Sequence, residues 1–202
     1  VYLGTPTIIP DIEVARTDTN VVLAATNAGL YRSTNGGTSF SKVTIATGVA
    51  ADPYVWSIAW GGGTNFVISL EADHSNASYL TNGQIWRSTD NGATWTRSTS
   101  ITDTNGITRL AVSAAPSDRN TMYVEAANNN SYTGSSTDLA NFFKSTDNGA
   151  TWTGIGKSGS TYKSYTNATS TRVNTLLNGQ GWYNQVVLID PTNANVVYFG
   201  GA

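Results

Sequence analysis

The 202-residue sequence contains no cysteine, a single histidine and few charged residues. The absence of cysteine excludes disulfides and thiolate metal sites, and a lone histidine, His74, gives little support to a metal centre or a Ser-His-Asp triad. Charged residues make up only 12% of the chain and the net charge is −2, which argues against nucleic-acid binding, since phosphate neutralisation needs clustered Lys and Arg. No apolar run approaches the roughly 20 residues of a membrane helix. We therefore predict no metal, cofactor, nucleic-acid partner or membrane insertion.

Thr, Ser, Asn and Gly are abundant in the sequence, while Lys is scarce. This composition favours a secreted or cell-surface protein, of a bacterial kind, that is held together without disulfides. Three Asn-x-Ser/Thr sequons, at Asn76, Asn129 and Asn167, are candidate glycosylation sites. A chain this rich in Asn, Ser and Thr would contain several sequons by chance.

One octet is repeated along the sequence. Ser88–Trp95 reads STDNGATW, the same letters return at Ser145–Trp152, and a degenerate copy, STNGGTSF, occupies Ser33–Phe40. The copies lie about 55 residues apart, and a fixed spacing of this size is typical of repeat architectures. We call these three segments the octets.

The flanks of the octets repeat as well. Each octet is preceded by three short runs of β-branched and aromatic residues and followed by a fourth, as at 55–60, 66–71, 84–87 and 94–97 in the middle unit. The pattern predicts four short antiparallel strands per unit, joined by turns, with no convincing helix. Such sheets repeated radially are the blades of a β-propeller, whereas the coils of a parallel β-helix are much shorter.

The predicted fold class is therefore all-β, with about three and a half propeller blades in one segment, 1–202. The blades cover approximately 12–46, 55–99 and 107–156, with an incomplete unit at 183–202. Because propellers close with four to eight blades, and an open one would leave unpaired strand edges, we expect the chain to be a segment of a larger propeller. The remaining blades would come from the same or another chain.

The octet pattern Ser-x-Asp-x-Gly-x-Thr-Trp resembles the Asp-box, or bacterial neuraminidase repeat, of the sortilin-like and xyloglucanase-like superfamily. The resemblance implies an octet between the third and fourth strands of each blade. It implies no single function, because Asp-boxes occur in sialidases, xyloglucan-active glycosidases, sortilin-type receptors and photosystem assembly factors alike.

The octet residues themselves indicate a structural role. Asp90 and Asp147 can accept hydrogen bonds from backbone amides a few residues on, Gly92 and Gly149 allow backbone angles that a Cβ would penalise, and the closing tryptophans can be buried between sheets. The alternative is a pair of catalytic carboxylates. It fails because equivalent outer-rim positions in successive blades lie farther apart than the roughly 5–10 Å that glycosidase carboxylates span.

Recognition is expected instead in the loops that enter the innermost strands, at 52–56, 104–109 and 156–184, since long loops on a rigid scaffold usually carry binding sites. The predicted ligand-binding residues are aromatic platforms for sugar rings and their polar partners. They are Tyr54, Trp56, Asn105, Arg109, Gln180, Trp182, Tyr183 and Asn184. The competing interpretation is that the aromatic side chains fill the central channel of the propeller or pack between its blades.

No catalytic residue is predicted. The arginine triad of a sialidase has no match here, and Asp52 and Asp103 lie only loosely where the xyloglucan-active family has its aspartates. Glu71 and Glu125 are interpreted as equivalent positions of successive second strands. This interpretation favours a role in packing or interblade pairing over a catalytic role. We predict a module that binds or scaffolds a glycan or protein ligand. The alternatives are a glycoside hydrolase acting on an extracellular polysaccharide and a structural subunit of an extracellular assembly.

Overall fold

The fold is known from a computed structural model, which describes residues 8–46, 53–71, 82–101, 107–128, 139–158, 161–162, 177, 181 and 184–201. Every regular element within these ranges is a β-strand. The described part of the chain contains no helix, and hence none that could span a membrane. The all-β fold class is confirmed.

Three four-stranded antiparallel sheets follow one another along the chain, each with its strands in sequence order. The first sheet consists of β1 (Asp11–Val14), β2 (Val22–Thr26), β3 (Gly29–Ser33) and β4 (Ser41–Val43). The second consists of β5 (Val55–Trp60), β6 (Phe66–Leu70), β7 (Gln84–Ser88) and β8 (Thr96–Arg97). The third consists of β9 (Ile107–Ala114), β10 (Met122–Asn128), β11 (Leu139–Ser145) and β12 (Thr153–Gly154).

Two shorter hairpins follow the third sheet. The first pairs β13 (Lys157–Ser158) with β14 (Thr161–Tyr162). It lies inside the stretch 156–184 that the sequence analysis treats as a loop, where neither strand has the apolar run that would have revealed it. The second pairs β15 (Val186–Ile189) with β16 (Val197–Gly200), as the first and second strand runs of the sequence predict for an incomplete unit.

The sheets pack face to face in chain order. Strand β5 contacts β1 on one side and β9 on the other, and β9 also contacts β15, so the four first strands lie side by side. Apolar side chains fill the layers between successive sheets, and Trp95 and Trp152 are buried in the first and second of these layers. A smaller layer around Ile189 joins the third sheet to the last hairpin. This radial order of four-stranded sheets is that of a partial propeller.

Strand burial follows from this packing. Strand β6, FVISL, is buried along its whole length because sheets cover both of its faces. The outermost sheets differ, since their outer faces have no neighbouring sheet among the described residues. Ile12 and Val14 on β1 are 56% and 37% exposed, and Val186 and Leu188 on β15 are 60% and 61% exposed.

The octets form the turns between third and fourth strands. In the middle octet, the Ser88 hydroxyl donates to Asp90 Oδ1 at 2.8 Å and accepts from the Gly92 N–H at 2.9 Å. Asp90 in turn accepts from the Thr94 N–H at 2.9 Å and from its hydroxyl at 2.6 Å. The Trp95 indole N–H donates to the Gly92 carbonyl at 3.1 Å. The predicted hydrogen bonds of this turn are confirmed.

The other two octets repeat this turn. Asp147 accepts from the Thr151 N–H at 2.9 Å, and the Trp152 indole N–H donates to the Gly149 carbonyl at 3.1 Å. In the degenerate octet the side-chain oxygen of Asn35 replaces the carboxylate and accepts from the Ser39 N–H at 2.9 Å. An amide oxygen therefore supports the turn as a carboxylate does.

Each complete octet also contacts the sheet before it, through the arginine that is the next-to-last residue of that sheet's third strand. Arg32 Nε donates to the Asn91 carbonyl at 2.6 Å, and Arg87 Nε donates to the Asn148 carbonyl at 2.9 Å. Asn91 and Asn148 have φ of 60° and 58°, in the left-handed region that asparagine tolerates better than most residues. The octets thus connect neighbouring sheets as well as neighbouring strands.

Candidate functional site

Two β-bulges lie at the beginning of the first strands of the second and third sheets. The register of β5 against β6 shifts between Val55 and Ser57, which leaves Trp56 as the extra residue. The register of β10 against β9 shifts so that Thr108 is the extra residue, directly before Arg109. Bulges re-aim the side chains beside them and are common next to functional sites. Here they lie at the same end of two adjacent strands.

The bulges bring Trp56 and Arg109 into contact. The guanidinium carbon of Arg109 lies 3.6 Å from the centre of the Trp56 ring, which is a close cation–π stack. The Tyr54 ring meets Trp56 edge-on, with 5.8 Å between centroids and an interplanar angle of 64°. Arg109 also donates through Nε to Glu71 Oε1 at 3.1 Å and through Nη2 to the same oxygen. We use the name channel-mouth cluster for Tyr54, Trp56, Glu71 and Arg109.

The ion pair of this cluster is shielded from water. The Arg109 side chain is 7% exposed and that of Glu71 is 15% exposed. Burial raises the pKa of Tyr54, the negative charge of Glu71 raises it further and Arg109 opposes both. The Tyr54 hydroxyl therefore stays protonated at neutral pH and can donate a hydrogen bond. The Glu71–Arg109 pair links the second sheet to the third and fixes the orientation of Trp56.

Three of the eight predicted site residues are brought together in this cluster, namely Tyr54, Trp56 and Arg109. Asn184 lies half-buried just before β15, at the corresponding place in the fourth unit. The remaining predicted site residues, the three sequons and the residues considered for catalysis lie outside the described residues: Asn105, Gln180, Trp182, Tyr183, Asn76, Asn129, Asn167, His74, Asp52 and Asp103.

The structure changes the expected role of Arg109. Its guanidinium is bonded to Glu71 and covers one face of Trp56, so this arginine holds the aromatic platform in place. The half-buried surfaces of Trp56 and Tyr54 that Arg109 leaves uncovered are the ones that can contact a ligand. Sequence reasoning did not connect Arg109 with Glu71, because the contact joins different sheets and depends on the two bulges.

The interpretation of Glu71 and Glu125 as equivalent positions is wrong. Phe66 pairs with Ser88, and Met122 pairs with Ser145, so these two pairs align the second strands of the two sheets. In that alignment Glu125 corresponds to Ser69 and Glu71 to Ala127. The spacing of residues in the sequence does not identify equivalent positions here, because the segments that connect the strands differ in length between the second and third units. Interblade pairing is nevertheless confirmed for Glu71, through Arg109.

Glu125 lies in a different environment, fully buried at 0% exposure on β10. Burial raises the pKa of its carboxyl group to about 9, and the backbone N–H of Val186 acts in the opposite direction. Gln185 Nε2 donates to the Glu125 carbonyl at 3.3 Å, so the start of β15 covers this position. Glu125 is therefore a neutral acid at neutral pH, enclosed between the third sheet and the last hairpin.

The described residues contain no group of three or more His, Asp or Glu side chains placed to hold a metal ion. The channel-mouth cluster combines an aromatic surface, a protonated phenol and a shielded ion pair whose arginine stacks on the Trp56 ring.

No protein-family model matches the sequence, and no curated protein matches it either. Solved structures are similar in fold. An ancestral GH74 enzyme has 17% identity and a TM-score of 0.63, and the match covers 96% of this chain and 22% of that one. YCF48 from Cyanidioschyzon merolae has 16% identity, a TM-score of 0.54 and coverages of 94% and 49%. A structure of YCF48 bound to D1 peptide has 16% identity, a TM-score of 0.53 and coverages of 76% and 41%.

The chain therefore spans less than half the length of each of these similar structures. At such low identity the likeness concerns the fold alone. It supports the propeller architecture that the sheet order already indicates.

Proposed function

We propose that this propeller module binds a glycan or protein ligand through the channel-mouth cluster, outside the cell or at its surface, without catalysing a reaction. The observation that carries the proposal is the clamp on Trp56, whose ring stacks against Arg109 at 3.6 Å while Glu71 holds the guanidinium. A platform fixed before binding costs little conformational entropy when a ligand arrives. Half-buried aromatic rings with a polar hydroxyl beside them suit both sugar rings and peptide side chains.

Both ligand classes have support from similar folds. GH74 enzymes are glycoside hydrolases by name, and YCF48 has been solved with a peptide bound. These are properties of those proteins. They favour the proposal that this chain also uses the propeller fold to bind a glycan or a protein ligand. Further support for a binding role comes from the two bulges, which bring Trp56 and Arg109 together at the beginning of the first strands.

A glycoside hydrolase acting on an extracellular polysaccharide is the second candidate, favoured by the fold shared with the GH74 enzyme. The two glutamates described at the second strands of the middle sheets do not supply its chemistry. Glu71 is held by Arg109, and Glu125 is fully buried. A hydrolase needs two carboxylates about 5–10 Å apart. They would come from Asp52 and Asp103, which the sequence places in the loops before β5 and β9, or partly from outside this segment.

We further propose that the octets are Asp-boxes, because in all three the side-chain oxygen of the third residue accepts a hydrogen bond from the backbone N–H of the seventh. More blades, from the same or another chain, would cover the outer faces of the first sheet and the last hairpin. The exposed side chains there are apolar, with Leu188 at 61% and Tyr198 at 57% exposure. The same faces favour a third candidate function, a structural subunit of an extracellular assembly.

A printed array of glycans and peptides tests the binding function. Fluorescently labelled protein is expected to bind at least one ligand, and Trp56→Ala is expected to weaken that binding at least about tenfold. Tyr198→Ala, which removes an exposed aromatic ring far from the cluster in sequence, is the matched control and should bind as the wild type does.

A reducing-sugar assay on every glycan that binds separates the two main candidates. Binding without release of sugar supports the binding module, and release would favour the hydrolase. Undiminished binding by Trp56→Ala would exclude the channel-mouth cluster as the site. Isolated monomers in electron micrographs would count against the assembly subunit.

A further inference from the structure

Two polar grooves lie at the edge of the sheets formed by the fourth strands, whereas the channel-mouth cluster lies at the first strands. Each groove separates the third and fourth strands of one sheet from the octet of the next sheet. The first has a volume of about 350 Å³, and its lining includes Arg32, Thr34, Ser41, Lys42, Thr44 and Ala93. The second has a volume of about 230 Å³, and its lining includes Arg87, Thr89, Thr96, Arg97, Ser98 and Ala150. We call them the outer grooves.

The two outer grooves are built from equivalent residues. In each, an arginine of the third strand pairs with a hydroxyl residue of the fourth strand, and the next residue of the fourth strand is a second cation. The pairs are Arg32 with Ser41 and Arg87 with Thr96, and the second cations are Lys42 and Arg97. The same combination of charge and hydroxyl groups therefore occurs at two successive junctions between sheets.

The junction between the third sheet and the last hairpin differs from these two. Lys144 takes the position of the third-strand arginine, and its Nζ donates to Asn195 Oδ1 at 3.0 Å. Gly154 takes the position of the second cation, because it pairs with Phe143 as Arg97 pairs with Trp86. This junction therefore lacks the pair of cations that defines the outer grooves.

The arginines of the outer grooves are positioned by the octets that follow them. Arg32 Nε donates to the Asn91 carbonyl at 2.6 Å, and Arg87 Nε donates to the Asn148 carbonyl at 2.9 Å. Neither Arg87 nor Arg97 forms an ion pair within the described part of the chain. A guanidinium group that is already held in place loses little conformational freedom when it binds a ligand.

No aspartate or glutamate is among the described residues that line the outer grooves. The carboxylates of the octets bond within their own turns. Asp90 Oδ2 accepts from the Thr94 hydroxyl at 2.6 Å, and Asp147 Oδ2 accepts from the Thr151 hydroxyl at 2.5 Å. Two cations and several hydroxyl groups without a lining carboxylate suit an anionic group, which both kinds of donor can contact.

A single octet separates the two outer grooves. Ala93 lines the first groove, and the next residue, Thr94, lines the second. Consecutive Cα atoms are only about 3.8 Å apart, so a polymer that crosses the second octet can contact both grooves. Threonine and serine hydroxyls both donate and accept hydrogen bonds, and they therefore match the hydroxyl groups of a sugar chain.

We propose that the outer grooves bind an acidic polysaccharide that crosses the second octet and places an anionic group, either a carboxylate or a sulfate ester, in each groove. Two linked contacts bind a polymer more tightly than either contact alone. This site is separate from the channel-mouth cluster and does not depend on the ligand proposed there.

Biolayer interferometry with the immobilised protein at physiological ionic strength tests the proposal. The probes are polygalacturonate, which carries carboxylates, dextran sulfate, which carries sulfate esters, and neutral dextran. At least one acidic polymer is expected to bind, and neutral dextran should bind at least about tenfold more weakly. The acidic polymer that binds more tightly identifies the anionic group. Polyglutamate, an acidic polymer without sugar hydroxyls, should also bind more weakly than that polysaccharide.

Substitutions locate the binding site. Arg97→Gln should weaken binding of the acidic polysaccharide about tenfold. The double variant Lys42→Gln/Arg97→Gln removes one cation from each groove and should weaken binding about a hundredfold or more. Lys144→Gln removes the same charge at the third junction and is the matched control, which should bind as the wild type does. Trp56→Ala should also bind normally, because the channel-mouth cluster is a separate site.

Four outcomes would overturn the proposal. Equal binding of dextran and both acidic polysaccharides would remove the role of charge, and equal binding of polyglutamate would reduce the grooves to a general positive patch. Equal losses in Arg97→Gln and Lys144→Gln would show an effect of net charge alone. A loss in Trp56→Ala as large as in the double variant would place the polysaccharide at the channel mouth. Lys42 and Arg97 are exposed, so their replacements should fold, and thermal unfolding of each variant checks this.

Discussion

The buried carboxyl group of Glu125 should make the stability of the protein depend on pH in an identifiable way. Its side chain is 0% exposed, and burial raises its pKa from 4.5 to about 9. In the unfolded chain the group ionises near its ordinary pKa, while in the folded protein it stays protonated to much higher pH. The favourable contribution is therefore complete below about pH 4.5 and is lost as the pH rises toward 9.

The size of the effect follows from proton linkage. Between these two pKa values the folded state binds one more proton than the unfolded state. The free energy of unfolding then falls by about 1.4 kcal/mol for each pH unit. From about pH 5.5 to about pH 8.5 this single group accounts for a loss on the order of 4 kcal/mol. Such a loss is a large fraction of the stability of an ordinary domain.

Glu125→Gln removes the titration and keeps nearly the same side-chain shape. Urea unfolding of both proteins at several pH values should show a steep decline for the wild type and a shallower one for the variant. All other titrating groups contribute equally to both curves and cancel in the difference. The variant should become the more stable protein at the alkaline end. Parallel curves, with a constant offset, would refute the burial and the raised pKa of Glu125.

Other predictions concern the octets and the contacts between sheets. Gly149→Ala should lower the free energy of unfolding by about 1–3 kcal/mol, because φ is 77° and a Cβ would lie 2.6 Å from Val67. Gly36→Ala, with φ 66° and open space around it, should cost only about 1 kcal/mol in the same urea titration, and equal losses would contradict the packing argument. Arg87→Ala should cost about 1–2 kcal/mol through the lost bond to the Asn148 carbonyl, while Arg97→Ala at an exposed position should change stability by less than about 0.5 kcal/mol. A similar loss in both arginine variants would remove the interblade role of Arg87.

The fold could be predicted because the residues of the octet specify the turn through contacts with one another. Asp147 and Gly149 specify a turn through bonds within eight residues, so the letters alone reveal where a third strand ends and a fourth begins. The strand runs around each octet are short and bounded by turn residues, which also makes them readable locally. Asn35 shows how the turn survives substitution, since its amide oxygen takes the place of the carboxylate.

The site was only partly predictable, since its contacts join residues from different sheets. Tyr54, Trp56 and Arg109 were identified from their loops, but their arrangement depends on bulges at Trp56 and Thr108 that no local pattern announces. The partner of Arg109 is Glu71, whose position relative to β9 follows from sheet packing.

The central claim is that the octets hold the sheets together while the channel-mouth cluster binds the ligand. The most direct test compares the binding of two fluorescently labelled variants, Trp56→Ala and Asp147→Ala, to the array of glycans and peptides. Both are measured at a temperature at which each variant is folded. We predict that Trp56→Ala loses at least about tenfold in signal and that Asp147→Ala binds as the wild type does. Loss of binding in Asp147→Ala with full binding in Trp56→Ala would contradict the account.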